Sequence, residues 1–128
     1  MSDIVITPSQ LNGTVLAPPS KSDVHRAVIC AALSGGVCEI APVSLSSDIK
    51  ATIGCVEALG AVTSLSGGVL TVDGSNIFNK KTAALDCIES GSTLRFFVPI
   101  AAAGGITTEF SGRGSLVSRP IGLFKDIL

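Results

Sequence analysis

Apolar positions along this 128-residue chain recur at a helical period in some stretches and alternate or cluster in short runs in others. The switches between the two patterns mark the elements. Residues 4–6 and 14–17 read as short strands around the Asn12-Gly13 turn, and Pro18-Pro19 ends any extended pairing. A helix follows. Ser22 is its candidate N-cap, and Val24, Ala27, Val28, Ala31 and Ala32 share one apolar face up to the stop at Gly35-Gly36. Residues 37–41 read as a strand. A second helix has Ser47 as its cap and Ile49, Ile53, Val56 and Leu59 as its face, closed by Gly60. Residues 61–65 and 69–72 then form a hairpin about Gly67-Gly68. Beyond a polar loop with Lys80-Lys81, residues 84–87 suit a strand. A third helix runs from about 92 to 103 before Gly104-Gly105, residues 106–110 make a further strand, and Pro120 opens a last helix.

Residues 22–40 and 91–109 repeat one another at an offset of 69, which matches Arg26 with Arg95 and Gly35-Gly36 with Gly104-Gly105. Each copy has a Ser/Gly-rich turn, an Arg early in an Ala-rich helix, a Gly-Gly stop and a strand. The repeating content is βαβαββ, incomplete in the second copy, and the fold class is α/β. Apolar residues make up 46% of the chain and charged residues 15%, without Trp or Tyr, so the core is drawn from Ala, Val, Ile and Leu. One domain, or part of one, is the bound set by length.

A net charge of −1 excludes the cationic surplus that nucleic-acid binding needs. No apolar run reaches the roughly 20 residues of a membrane span, and the first residues lack a secretory pattern. A cytoplasmic protein is expected. Cys30, Cys38, Cys55 and Cys87 form no C-x-x-C pair and read as buried free thiols.

Charge matters by placement. Lys21, Arg26, Arg95, Arg113 and Arg119 all stand in or beside turns at predicted helix starts, where the macrodipole disfavours cations unless an anion is bound. Free helix N–H groups, a hydroxyl and a cation together grip phosphate or carboxylate. Ser22 and Arg26 lie four apart with Lys21 on the same rim, so the three can converge on one dianion. The same spacing suits a capped helix with solvated Lys and Arg, and spacing does not choose between them. Glu89-Ser90-Gly91-Ser92-Thr93-Leu94-Arg95 repeats the logic, because Gly91 admits a ligand close to the backbone; a plain helix start with Arg95 in a salt bridge is the alternative. His25 reads as a solvent-facing helical residue, Asp48 as a helix-start carboxylate. No nucleotide or metal motif is present, so no cofactor is expected.

Residues 18–27, Pro-Pro-Ser-Lys-Ser-x-x-x-Arg-Ala, resemble the opening signature of the EPSP synthase family. Ser47-Asp48, Gly91-Ser92-Thr93-Leu94-Arg95 and Ser115-Leu116-Val117-Ser118-Arg119-Pro120 keep its order, and the resemblance covers essentially the whole chain. It implies transfer of the enolpyruvyl group of phosphoenolpyruvate to shikimate 3-phosphate, in aromatic amino-acid biosynthesis, through a tetrahedral intermediate with release of phosphate. It also implies two domains of three βαβαββ units each that close on the substrates. Residues 1–17 are then strands of the far domain, and 18–128 hold the first unit and part of the second.

By resemblance, Lys21, Ser22 and Arg26 contact shikimate 3-phosphate. Lys21, Gly91 and Arg119 line the phosphoenolpyruvate site, where glyphosate competes, and Asp48 and Arg95 support them. The family's proton-transfer groups fall outside these residues, so no catalytic residue is assigned and no turnover is expected from the chain alone. A monomeric full enzyme and a self-associating fragment are expected. Glu89-Ser90-Gly91-Ser92 departs from the Asn-Ala-Gly-Thr of many members. The rival readings are a non-catalytic anion-binding module and the related UDP-N-acetylglucosamine enolpyruvyl transferase, against which the Ser-Lys-Ser-x-x-x-Arg run speaks.

Overall fold

Because Val24, Val28, Ala31 and Ala32 repeat at three- and four-residue steps, residues that follow the double proline wind into a helix with one buried stripe. In a computed structural model that describes residues 3–127, this is α1 (Lys21–Leu33). It is followed by β1 (Val37–Ile40), α2 (Ser47–Ala58), β2 (Val62–Ser66) and β3 (Val69–Asp73). Then come β4 (Thr82–Asp86), α3 (Gly91–Ala103), β5 (Thr107–Ser111), a 3-10 turn (Gly114–Ser118) and α4 (Gly122–Ile127).

The strands form two sheets. β3 is central in an antiparallel sheet ordered β1-β3-β2, with Ile40 opposite Leu70 and Leu65 opposite the same residue from the other side. β4 and β5 pair in parallel, Leu85 opposite Phe110, joined by α3 as a crossover helix. One apolar cluster runs through both parts: Val28 and Ala32 of α1, Ile49 and Val56 of α2, Leu70 and Val72 of β3, then Leu85, Phe97 and Leu116. α2 sits between α1 and β4 and makes the cluster continuous. No helix among the described residues is long and apolar enough to cross a membrane.

Several expectations are corrected. Residues 4–6 and 14–17 are not strands: residues 3–19 make no backbone hydrogen bond among the described residues. Ile4, Val5, Ile6, Leu11, Val15 and Leu16 stand 86–95% exposed, so among the described residues no partner strand or core orders the segment. Met1 and Ser2 of that predicted segment, and Leu128 of the last predicted helix, lie outside the described residues. The caps are Ser20, Ser46 and Ser90, earlier than the Ser22 and Ser47 expected, since each lends its hydroxyl to the N–H three residues on. Pro120 precedes the last helix rather than opening it, and the residues before it coil into the 3-10 turn. Cys30 is exposed and Cys38 half-buried; only Cys55 and Cys87 are buried thiols.

The backbone places the matching features of the two helices at an offset of 70 rather than 69. α1 and α3 are both 13 residues long, their caps Ser20 and Ser90 lie 70 apart, and so do the left-handed Gly35 and Gly105. In this register His25, not Arg26, matches Arg95.

Candidate functional site

Each of the first three helices starts at a serine, and two of these starts carry the residues marked by the sequence. At α1, the Ser20 hydroxyl accepts the Asp23 N–H at 3.4 Å. Lys21 then stands at the first helical position and reaches the carboxylate of Asp48, in the first turn of α2, at 2.5 Å. Arg26 turns to Asp23, three residues back on its own helix. Lys21, Ser22 and Arg26 are all exposed, but the two cations point to separate carboxylates rather than to one centre. Both pairs are solvated and worth about 1 kcal/mol or less, so an incoming anion displaces them at little expense.

The mouth of α3 is built differently. Ser90 is buried, and its Oγ receives both the Thr93 N–H at 3.2 Å and the Thr93 hydroxyl at 2.7 Å. The turn before it is pinned from two sides: Cys87 N–H donates to Ser111 O at 2.9 Å, and Arg113 N–H to Ile88 O at 2.7 Å. Ile88 adopts a left-handed conformation, φ 54°, with its N–H on Asp86 Oδ1 at 2.8 Å. That bond, aided by the Arg113 guanidinium at 3.1 Å, holds the Asp86 carboxyl below its ordinary range. Arg119 folds back from the end of the 3-10 turn so that its guanidinium lies against Gly91; a Cβ there would stand 3.3 Å from Cζ and closer still to a terminal nitrogen. Only glycine leaves room for this approach. Glu89 turns toward Gly114. Arg95 is exposed and has no carboxylate partner among the described residues.

Between the mouths lies a buried polar row. His25 Nδ1 is 2.6 Å from Thr52 Oγ1, which is 2.9 Å from Thr93 Oγ1, which reaches Ser90. Thr52 Oγ1 also faces the Asp48 carbonyl at 3.3 Å. His25 is therefore not the solvent-facing residue expected: it is 1% exposed, packed between α1 and α2. Burial lowers its pKa, against the Asp48 carboxylate, with Lys21 adding to the shift. Sequence reasoning passed over Thr52 and Thr93. The available signal was a threonine at Thr52 on the Ile49–Val56 stripe, where a stripe meant wholly for packing would carry an aliphatic residue.

The family model for EPSP synthase (3-phosphoshikimate 1-carboxyvinyltransferase) matches residues 5–128. The chain belongs to the EPSP synthase family. Relatives named 3-phosphoshikimate 1-carboxyvinyltransferase agree. The Clostridium kluyveri protein is 42% identical over 127 residues, covering 99% of this chain and 30% of that protein. The Clostridium perfringens (strain SM101) protein is 44% identical over 128 residues with the same coverage. The Clostridioides difficile protein is 42% identical over 137 residues, covering 99% and 31%. The chain thus spans 30–31% of the length of these curated relatives.

Of the residues marked by the EPSP synthase resemblance, Gly91 and Arg119 meet directly, and Lys21 meets Asp48. Ser22, Arg26 and Arg95 stay apart from those contacts on exposed helix positions. Among the described residues no cluster of three or more His, Cys, Asp or Glu could hold a metal ion.

Proposed function

We propose that this chain supplies part of the substrate half-site of an enzyme that transfers the enolpyruvyl group of phosphoenolpyruvate to shikimate 3-phosphate. The observation that carries this reading is the Arg119 guanidinium laid over the bare backbone of Gly91 at the start of α3, a cation beside free helix N–H groups. In this reading Gly91 and Arg119 take phosphoenolpyruvate and Lys21 reaches it from α1. Lys21, Ser22 and Arg26 take shikimate 3-phosphate once Asp48 and Asp23 release the two cations. Asp48 and Arg95 support the site. The segment 18–128 holds one βαβαββ unit and part of a second, and residues 1–17 pair within the far domain. That pairing gives the exposed apolar side chains of Ile4, Val5, Ile6, Leu11, Val15 and Leu16 a destination, and without it the isolated chain is prone to self-association. Substrate binding by the chain alone is weak and turnover absent, since closure of two domains is what excludes water.

Amide NMR spectra recorded while titrating shikimate 3-phosphate test the proposal, with inorganic phosphate and UDP-N-acetylglucosamine in parallel. Saturable shifts at Lys21, Ser22 and Arg26 with shikimate 3-phosphate alone are expected. An equal response to every phosphate reduces the site to a generic anion grip, and product formation by the chain alone sinks the prediction of inactivity.

A further inference from the structure

His25 takes part in none of the three ion pairs of the described residues, yet it is among the most buried side chains of the molecule. Its Nε2 is buried with no hydrogen-bond partner. An orphaned ring nitrogen is unfavourable, and an apolar residue of similar size would fill the same space without it. What the imidazole adds is its other nitrogen, 2.6 Å from Thr52 Oγ1. Thr52 has one hydroxyl proton and two acceptors before it, the Asp48 carbonyl at 3.3 Å and Thr93 Oγ1 at 2.9 Å. Thr93 in turn gives its proton to Ser90 at 2.7 Å. With Thr93 donating to Ser90, the Thr52–Thr93 bond is made only when Thr52 donates it, and the proton at the head of the row is then the one on Nδ1.

We infer that His25 is a positioning residue: by donating Nδ1–H to Thr52 it fixes the mouth of α1 against the mouth of α3 through Thr52, Thr93 and Ser90. Both ends of the row adjoin the candidate anion contacts. Arg26 follows His25 directly, Lys21 lies one turn before it, and Gly91 follows Ser90. The titratable groups facing His25 are Asp48 from α2 and Lys21 from its own helix. A satisfied row of this kind holds three helices in one relative placement, which loose apolar packing does less sharply. The consequence for ligand binding rests on the anion-site reading above; the row itself does not.

The test uses the full chain with His25→Asn, His25→Gln and His25→Phe. An asparagine amide can stand where Nδ1 stood, whereas a glutamine amide reaches the place of Nε2. Nitrogen shifts of the His25 ring near neutral pH are expected to show the tautomer protonated on Nδ1. Ser90 and Thr93 amide resonances, on a different helix from the substitution, should stay near their native positions in His25→Asn and move in His25→Gln and His25→Phe. The Nε2–H tautomer, α3 resonances indifferent to all three changes, or Gln serving as well as Asn would each overturn the inference. Should His25→Phe fail to fold, the Asn–Gln pair still decides.

A second arm titrates inorganic phosphate and follows Gly91 and Ser92. Affinity is expected to fall on the order of tenfold in His25→Gln relative to His25→Asn, the low end of what losing an outer-shell partner does to a ligand site; equal affinities count against the positioning role. If the native chain binds no phosphate at all, the anion-site reading fails and the first arm alone judges the row.

Discussion

The mouths of α1 and α3 begin from nearly the same local pattern, a capping serine, small or polar residues and an early arginine, and they end as different objects. At α1 the cap is exposed, the chain before it is unattached, and each cation is held by a carboxylate. At α3 the cap is buried, the preceding turn is bonded to β5 and to the stretch after it, and the cation comes from 28 residues downstream. The difference lies in the strand ahead of each helix. β4 pairs with β5 and anchors the turn into α3, while residues 14–17 pair with nothing among the described residues. A helix start is held in one shape when its approach is fixed by a sheet, and remains a set of exchangeable surface charges when it is not.

The sharpest way to break that contrast is to loosen α3. Phe97, 1% exposed, anchors it in the shared cluster, so Phe97→Ala should lower unfolding free energy by about 3–5 kcal/mol in denaturant titrations; a loss below about 1 kcal/mol would mean α3 is held chiefly by its bonded mouth. Next come the caps. Ser90→Ala removes a buried acceptor from both the Thr93 N–H and its hydroxyl and should cost about 2 kcal/mol, against roughly 0.5 kcal/mol for Ser20→Ala at its exposed start. Equal losses would erase the distinction.

The third prediction concerns acid. Burial lowers the folded pKa of His25 below its ordinary 6.5, so the unfolded chain binds the extra proton first. Stability should be level above pH 6.5 and fall as the pH drops from there toward the lowered value, a limb that His25→Asn abolishes. A limb that survives in His25→Asn would assign it to another group. The smallest effect is at the exchangeable mouth: Asp48→Asn should change stability by less than about 1 kcal/mol while tightening inorganic phosphate binding at Lys21, read from its amide shift.

Most of this architecture is legible in the sequence, because helix stripes and hairpin turns are local signals. Ile49, Val56 and Leu59 lie on α2's buried face as their spacing says, and Gly67-Gly68 turns the β2–β3 hairpin. Caps were displaced because runs such as Ser20-Lys21-Ser22 and Ser46-Ser47 offer more than one hydroxyl, and only the path of the preceding chain selects among them. Residue type pairs Arg26 with Arg95 at an offset of 69, whereas backbone conformation pairs Gly35 with Gly105 at 70. The burial of His25 is hidden for a different reason: it is imposed by α2, 27 residues away, and no window along α1 contains that information. The family resemblance implies that Gly91 and Arg119 line one site; that they touch is not in the spacing, since it depends on how the 3-10 turn folds back.

The four cysteines form a depth scale that needs no added label. Cys30 is open to solvent, Cys38 partly covered, and Cys55 and Cys87 sealed in the core, where the neighbouring Cys87 thiol, together with burial, pushes the Cys55 thiol well up from its ordinary range. An alkylating reagent therefore meets the surface of α1 at once, and reaches the seam between α2 and β4 only when the two part. The chain carries its own clock for how often that seam opens.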